Sequence, residues 1–358
     1  MKEKKLSGLF INCVEAKDSI FESGKMVFEC LSGSAKYSLD YCELSRENRT
    51  LPTKYDFYFF NYHMITMKWL QPSSIKKLVR GIKFTMVLEV GPNNPFAFVA
   101  PEDFDGFIVL DPTVNLKQEN VFAFPRPLES NPNPTIYQDK EIPVIGSFGF
   151  ATPGKGFEQV IEAINYEFEK AVVRINIPYG DYTDEGGKYA KELAQVCKNK
   201  AKKGIEVQVT HDFMSKAELI KWCGQNTLNC FLYDRNVVGL AATTDQAISS
   251  GRPLITSKNE TFRHIHQYIK PYPEQTLKEA IKNTKEIVER IQKDWSAEVF
   301  RQKFEDVLDK FQFVEQTKNK EFVKLKLKPK VGIIQKLRNK LAIKTRFKKL
   351  AKSYRSVP

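Results

Sequence analysis

Residues 143–164 read PVIGSFGFATPGKGFEQVIEAI, where a short apolar run is followed by a glycine-rich segment and then by apolar residues at helical spacing. Val160, Ile161 and Ile164 lie on one helix face, so the pattern predicts a strand, a turn and an amphipathic helix. Glycine lets backbone N–H groups approach a ligand closely, and a helix start directs unpaired N–H groups and its positive dipole end into the same space. The segment therefore predicts an anion site, most often for phosphate, to which Lys155 adds a positive charge.

The same residues also fit an ordinary strand-to-helix turn of a parallel sheet that binds nothing. Their glycine spacing matches neither G-x-G-x-x-G nor G-x-x-x-x-G-K-[ST], so a Rossmann dinucleotide site and a P-loop are both unsupported. The turn alone leaves an anion site and a purely structural turn open.

The length and composition describe a soluble globular protein of two domains. The chain has 358 residues, of which 42% are hydrophobic and 28% are charged, a balance typical of folded domains. No apolar run approaches the roughly 20 residues that span a bilayer, and the charged N-terminus lacks the apolar segment of a signal peptide. The six cysteines include no C-x-x-C pair, so we expect reduced, buried thiols and a cytoplasmic location.

The net charge of +13 is concentrated at the C-terminus. Residues 318–358 contain twelve Lys and three Arg against a single acid, Glu321, so the rest of the chain is close to neutral. Ile334, Leu337 and Leu341 share one helical face among these charges, and a basic amphipathic helix of this kind binds anionic lipid. We predict a basic helical tail that binds an anionic membrane surface. A solvated tail without a partner is the first alternative, and nucleic acid is the least favoured partner.

Apolar runs alternate with helical patterns along the chain, which indicates an α/β protein with parallel sheets. The predicted strands cover residues 6–14, 36–42, 55–62, 84–90, 106–110, 144–148, 171–177, 205–209, 229–233 and 253–255, with a brief strand possible at 324–328. The predicted helices cover residues 19–31, 72–79, 157–168, 188–202, 216–223, 244–249, 262–268, 274–291 and 296–311.

Prolines and asparagines cluster between residues 125 and 134 and indicate an extended linker. We therefore predict a first α/β domain over residues 1–127, a linker over 128–142, a second α/β domain over 143–293, a closing helix over 294–317 and the basic tail over 318–358. Two such domains leave a cleft between them. Ligands of open parallel sheets bind beyond the carboxyl ends of the strands, where the turn after residues 144–148 lies.

A second motif spans residues 229–255 and reads NCFLYDRNVVGLAATTDQAISSGRPLI. It predicts a buried strand, a loop, a helix that Thr243 or Thr244 caps, and a new strand. Together the two motifs resemble the donor-binding half of GT-B glycosyltransferases, especially the retaining family 4 type. The resemblance covers residues 143–268 and extends to the first domain only as an architecture. The matching residues are Gly149, Lys155, Gly156, Gly239, Ala247, Ser250, Gly251 and Pro253.

The resemblance implies two Rossmann-like parallel-sheet domains that face a cleft and bind a nucleotide-sugar. Lys155 would then bind the diphosphate of the donor, and the loop and helix start from Gly239 to Gln246 would hold its sugar, ribose and phosphate. Such folds need no divalent metal and no cofactor. The reaction would displace the nucleoside diphosphate at an anomeric carbon, and the family implies retention of configuration.

The chain departs from the family pattern at three positions. Phe150 stands where the family has Arg, and Val238 and Gln246 stand where it has two Glu residues. Arg235, Arg252 or Arg263 could replace the missing guanidinium, and Thr243, Thr244 or Asp245 could replace the missing acceptors. We interpret the chain as a divergent branch with a shifted donor set, the alternative being a damaged donor site.

Further candidates come from polar residues at the ends of predicted strands. His63 and Glu89 close strands of the first domain and are our catalytic candidates, although both could simply cap loops. His211 follows the strand over 205–209 and could approach the donor. We interpret the pair Asp103 and Asp105 as part of a solvated turn rather than a metal site, and no His/Cys spacing resembles zinc.

These features lead to one favoured function and two alternatives. We predict a cytoplasmic glycosyltransferase, peripheral on the inner face of the plasma membrane, that moves a sugar to a cell-surface glycan or lipid-linked acceptor. The alternatives are a non-catalytic GT-B-like binding subunit and a nucleic-acid-associated protein that acts through its tail.

Overall fold

The computed structural model describes residues 5–14, 19–63, 66–78, 80–88, 100–114, 118–129, 140–180, 184–237, 239–313 and 322–327. Within this part of the chain no helix combines the length and apolar character that crossing a bilayer requires.

One parallel sheet dominates the first half of the chain. Its elements in chain order are β1 (Leu6–Cys13), α1 (Ser19–Leu31), β2 (Tyr37–Leu44), β3 (Thr50–Pro52), β4 (Phe57–Phe60), α2 (Ser73–Leu78), β5 (Ile82–Val87), β6 (Gly106–Val109) and β7 (Val121–Ala123). The sheet has the order β2-β1-β4-β5-β6-β7, and all of its pairs are parallel. All four residues of β4 are buried, as expected of a central strand that is covered on both faces.

A second parallel sheet follows. Its elements are β8 (Val144–Phe148), α3 (Phe157–Glu167), β9 (Ala171–Asn176), α4 (Lys188–Lys200), β10 (Ile205–Thr210), α5 (Lys216–Gly224), β11 (Leu228–Phe231), α6 (Thr243–Ser249) and β12 (Leu254–Thr256), with a 3-10 turn at Glu185–Gly187. The strand order is β10-β9-β8-β11-β12. Because the chain runs outward from β8 in both directions, a crevice opens beyond the carboxyl ends of β8 and β11, where open α/β sheets bind ligands.

The C-terminal elements return the chain to the first half. A 3-10 turn at Glu260–Phe262 is followed by α7 (Arg263–His266), α8 (Leu277–Asn283), α9 (Lys285–Asp294), α10 (Ala297–Leu308) and β13 (Phe322–Lys324). Phe300 and Phe304 of α10 pack in one buried cluster with Phe10 and Phe59 of the first sheet. The strand β13 then pairs antiparallel with β3. Residues from the end of the chain therefore complete the first domain.

Each strand and helix that the sequence predicts overlaps an element of the structure. Two predictions were wrong. The single helix over 274–291 is broken at Thr284, whose buried hydroxyl donates to Ala280 O and accepts the N–H of Leu254, tying the break to β12. The helix α6 follows Ala242 without a side-chain cap, so neither Thr243 nor Thr244 is its N-cap. The short strands β3 and β7 were not predicted.

Candidate active site

Two loops meet at the crevice beyond β8 and β11. The N–H of Asp234 donates to Gly154 O at 2.9 Å. Gly154 and Gly156 have φ values of 77° and 71°. A Cβ atom at Gly156 would lie 1.7 Å from Leu232 O, and one at Gly154 would lie 2.2 Å from Asp234 O. Glycine is therefore required at both positions, because the turn after β8 packs directly on the backbone of the segment after β11.

The ammonium group of Lys155 lies where these loops meet. Its Nζ donates to Tyr233 Oη at 3.0 Å and lies 4.5 Å from the centre of the Tyr233 ring. A Cβ atom at Gly149 would approach Nζ to 3.3 Å. The Tyr233 hydroxyl also forms a hydrogen bond of 3.0 Å with Thr243 Oγ1 at the start of α6. Lys155, Tyr233 and Thr243 thus join the turn after β8, the end of β11 and the start of α6 in one polar cluster.

A second cation, Arg235, lies against the same ring. Its guanidinium carbon is 4.9 Å from the centre of the Tyr233 ring, and its Nη2 donates to Thr261 Oγ1 at 3.3 Å. Its Nε is buried and has no hydrogen-bond partner within the described residues, and burial lowers the pKa of the guanidinium. A half-buried guanidinium with an unused, buried Nε donor favours an anionic ligand, since such a ligand supplies both charge and acceptors.

Exposed aromatic side chains border this cluster at the ends of β8, β9 and β10. Phe150 is 42% exposed and Phe213 is 81% exposed, and their ring centres are 6.5 Å apart. Next to them Tyr179 stacks on His211 with 4.8 Å between ring centres, and His211 Nδ1 bonds Ile177 O at 2.8 Å. The carboxyl edge of the sheet therefore offers exposed aromatic rings, which are tilted by 43° to one another in the pair Phe150 and Phe213.

The remaining donor-side candidates differ in accessibility. Thr244 is fully buried, and its hydroxyl donates to Ala241 O and contacts His264 Nε2. Gly239 and Gln246 are half-buried near the start of α6, and Val238 lies outside the described residues. Contact of these residues with a donor stays a prediction.

Of the three arginines that could replace the missing guanidinium, only Arg235 lies in the Lys155 cluster. Arg252 Nε donates to Asn226 O at 2.9 Å, two residues before β11 and therefore at the opposite end of that strand. Arg263 Nε and Nη2 both donate to Asp111 Oδ2, at 3.0 and 2.5 Å. Structural contacts thus occupy Arg252 and Arg263.

Two buried ion pairs connect the halves of the molecule beside the cleft. Asp111, which follows β6, pairs with Arg263 at the start of α7, and the two side chains are 3% and 10% exposed. Arg126, which follows β7, donates from Nε to Asp245 Oδ2 at 2.8 Å. Asp245 of the second domain is therefore paired with a residue that lies just before the predicted linker. Its Oδ1 has no hydrogen-bond partner within the described residues.

His63 and Glu89 are the catalytic candidates of the first domain. His63 follows β4 and is only 4% exposed, and its carbonyl oxygen accepts the N–H of Met67. Glu89 lies outside the described residues. The turn with Asp103 and Asp105 is not solvated as predicted: Asp103 is buried, which raises the pKa of its carboxyl, and Asp105 pairs with Lys83. The described residues contain no group of three His, Cys, Asp or Glu side chains that could hold a metal ion.

Sequence reasoning missed Tyr233, the residue that joins the cluster. The available signal was its position as a polar-tipped side chain just after a buried strand, the same criterion that selected His63. Its partners could not be read from the sequence, because Lys155 and Thr243 lie 78 and 10 residues away along the chain.

The comparisons agree with this architecture. No family model matches the chain, and no curated protein is similar to it in sequence. HepE of Anabaena in complex with UDP has a TM-score of 0.58 at 10% identity, over 86% of this chain and 100% of that one. A glycosyltransferase from Rickettsia africae has a TM-score of 0.56 at 10% identity, over 86% and 98%. The lipopolysaccharide outer core galactosyltransferase WaaB has a TM-score of 0.53 at 10% identity, over 85% and 99%.

The predicted fold class is confirmed: the chain has the GT-B fold, with two Rossmann-like domains. The helical tail predicted after residue 318 lies outside the described residues except for 322–327.

Proposed function

We propose that this protein is a glycosyltransferase that binds a nucleotide-sugar donor in the crevice beyond β8 and β11. One observation carries the proposal: Lys155 and Arg235 both lie against Tyr233 at the point where the strand order reverses. Two cations at a helix start, beside a turn that only glycine can form, suit a diphosphate. The similar structure of HepE, which is in complex with UDP, supports the same ligand class.

The chemistry follows from the charge that develops during transfer. Cleavage of the anomeric C–O bond leaves a sugar with oxocarbenium character and a nucleoside diphosphate with growing negative charge. Lys155, Arg235 and the N–H groups at the start of α3 would stabilise that charge without reorganising, a type of contribution worth about 10²–10³ in kcat per donor. Thr243 and Gln246 would offer hydrogen bonds to the sugar and ribose in place of the absent carboxylates. Neither a cofactor nor a metal ion is part of the proposed reaction.

The exposed pair Phe150 and Phe213 would receive the base of the donor. Because Phe213 is 81% exposed, a base can cover its ring at little cost in free energy. Stacking of a base on an aromatic ring is worth about 1–3 kcal/mol. In this arrangement Phe150, which stands where the family has Arg, contributes a stacking surface, and Arg235 supplies the guanidinium from the neighbouring loop. His211 would order the rim through its stack on Tyr179.

The acceptor would enter from the first domain, where His63 and Glu89 are the catalytic candidates. We propose a cell-surface glycan or a lipid-linked precursor as the acceptor, and retention of configuration as the outcome. The basic tail favours a cytoplasmic protein that lies on the inner face of the plasma membrane. WaaB, a lipopolysaccharide outer core galactosyltransferase of the same fold, supports an acceptor of this class.

The test is titration with nucleoside diphosphates and a transfer assay with a panel of nucleotide-sugars, on the wild type, Lys155→Ala and the exposed control Lys170→Ala. We expect one nucleotide to bind the wild type and the control equally, and Lys155→Ala to bind at least tenfold more weakly. Binding without transfer to any acceptor would favour the non-catalytic binding subunit. No binding of any nucleotide would overturn the proposal.

A further inference from the structure

The segment 322–327, which we term the C-terminal strap, is held on the first domain. Lys324 pairs with Thr50 in the β13–β3 ladder, and Leu327 forms an antiparallel bridge with Leu70. Between these contacts Leu325 is 1% exposed and belongs to the core cluster of the first domain. The strap therefore fixes the place at which residues 328–358 begin.

The outward side chains of the strap combine apolar and basic groups. Phe322 is 58% exposed and Leu327 is 37% exposed, and Lys324 and Lys326 are exposed between them. Among the described residues, every other exposed large hydrophobic side chain lies between residues 142 and 237, in the second domain. In the described part of the first domain, exposed large apolar side chains thus occur only in the strap.

The charge around the strap is mainly positive. Exposed Arg46 and Lys68 lie near its C-terminal part, since Arg49 donates to Arg46 O and to Leu325 O, and Lys68 is two residues from Leu70, the partner of Leu327. Glu47 is an exposed acid on the same turn. Residues 328–358, which begin at the strap, contain eight Lys and three Arg and no acid. Lys side chains around exposed Phe and Leu suit an anionic bilayer surface, where the apolar tips enter the headgroup boundary and the cations meet lipid phosphates.

We propose that the C-terminal strap lies on an anionic phospholipid bilayer and makes the first domain the membrane-facing half of the molecule. The inference rests on the membrane partner in the proposed function and deepens it. In the sequence, the basic tail follows the second domain and the closing helix. In the structure, the strap from which the tail continues is held on the first domain, where we propose that the acceptor enters. A lipid-linked acceptor would then reach the cleft from the half of the protein that rests on the bilayer.

The first test uses full-length protein with a tryptophan placed on the surface in question. Phe322→Trp is compared with Tyr166→Trp, whose parent residue is 86% exposed on α3 of the second domain. The native Trp69, Trp222 and Trp295 are buried and give a constant background. With vesicles that contain anionic and brominated phospholipids, we expect quenching and a blue shift for Phe322→Trp and neither for Tyr166→Trp. Quenching of Tyr166→Trp alone, or of neither variant, would overturn the proposal.

The second test measures vesicle sedimentation without any nucleotide, so its outcome is independent of the donor site. We expect the double variant Phe322→Ser/Leu327→Ser to lower partitioning into anionic vesicles about tenfold. Lys324→Ser/Lys326→Ser should weaken binding more than the equally charged control Lys188→Ser/Lys203→Ser. The proposal would be overturned if the wild type bound no vesicles but bound duplex DNA, and if these strap variants weakened the DNA binding. The partner would then be a nucleic acid. If the strap binds bilayers as expected while no nucleotide binds, only the proposed transferase activity fails.

Discussion

At the scale of single residues, Tyr233 organises the polar cluster in which we propose that a diphosphate binds. Its ring is held by Phe262, with 4.7 Å between ring centres, and its hydroxyl bonds both Lys155 and Thr243. The sequence indicated Lys155 because a glycine-rich turn and a helix pattern surround it. It could not indicate the Tyr233 contacts, which depend on two strands becoming neighbours in the sheet.

Tyr233→Phe removes the hydroxyl and keeps the ring. Each lost hydrogen bond is worth about 1 kcal/mol, so we expect nucleotide affinity to fall about five- to tenfold while the thermal midpoint changes little. The control is Tyr268→Phe, which removes a hydroxyl that donates to Asp294 at 3.1 Å on an exposed surface. Calorimetric titration measures the nucleotide affinity of both variants. Equal affinity of Tyr233→Phe and the wild type would contradict the role given to the hydroxyl.

Arg235 has a matched control in Arg252, because both guanidinium groups are half-buried and only Arg235 lies in the cluster. We expect Arg235→Gln to weaken nucleotide binding at least tenfold, since a charge-assisted hydrogen bond is worth about 1.5–3 kcal/mol. Arg252→Gln should leave the affinity unchanged. The same titration checks both variants. An equal loss of nucleotide affinity in both would show that Arg235 acts only through the stability of the fold.

His264 gives the stability a pH dependence. It is fully buried, stacks on Trp295, and has its pKa held well below the ordinary 6.5, chiefly by burial and then by the charges of Arg126 and Arg263. The unfolded chain therefore takes up a proton first, so the free energy of unfolding falls as the pH drops below 6.5, by up to about 1.4 kcal/mol per pH unit. His266, whose pKa burial also lowers, adds to the same trend.

Urea unfolding at several pH values between 7.5 and 5 measures this slope. We expect His264→Gln to give a shallower slope than the wild type, whatever its stability at neutral pH. An unchanged slope would place the pH dependence elsewhere.

At the scale of elements, local patterns were sufficient where a long helix has an amphipathic period or a buried strand is a continuous apolar run. The helix α1 and the strand β8 have the predicted ends. The three-residue strands β3 and β7 are too short to show a period, and β3 exists as a strand because the strap, some 270 residues away, pairs with it. The break between α8 and α9 depends on a tertiary hydrogen bond of Thr284, which no local pattern contains.

The packing of the turn before α3 predicts a difference between two glycine substitutions. Gly156 and Gly186 have similar φ values of 71° and 75°, so Gly156→Ala and Gly186→Ala carry the same left-handed strain of about 1–2 kcal/mol. A Cβ atom at Gly186 meets nothing within 4 Å, whereas one at Gly156 would overlap Leu232 O. We expect Gly156→Ala to be the more destabilising by at least about 2 kcal/mol and to abolish nucleotide binding. Equal destabilisation in denaturant unfolding would contradict the packing of the two loops.

At the scale of the whole molecule, the sequence predicted two facing α/β domains and the structure adds what couples them. The ion pairs Asp111–Arg263 and Arg126–Asp245 lie beside the cleft, and α10 and the strap close the first domain with residues from the end of the chain. None of these contacts has a sequence signal, because each joins residues more than 100 positions apart.

Asp111→Asn keeps the size of the side chain and removes the negative charge that pairs with the buried guanidinium of Arg263. Breaking a buried pair costs about 3–5 kcal/mol, and we expect this cost to favour a more open cleft. Small-angle X-ray scattering should then report a larger radius of gyration than for the wild type, and saturating nucleotide should reduce the difference. Asp309→Asn, which breaks an exposed pair with Lys36, is the control. An unchanged radius for Asp111→Asn would contradict the coupling role.

The measurement that tests the central claim most directly is a crystal structure of the full chain with a bound nucleoside diphosphate, UDP being the first choice. The account predicts phosphate oxygens within about 2.7–3.2 Å of Lys155 Nζ, in the crevice beyond β8 and β11, with Arg235 on the same phosphates. A nucleotide bound elsewhere, or one bound in this crevice with Lys155 still paired only to Tyr233, would contradict it.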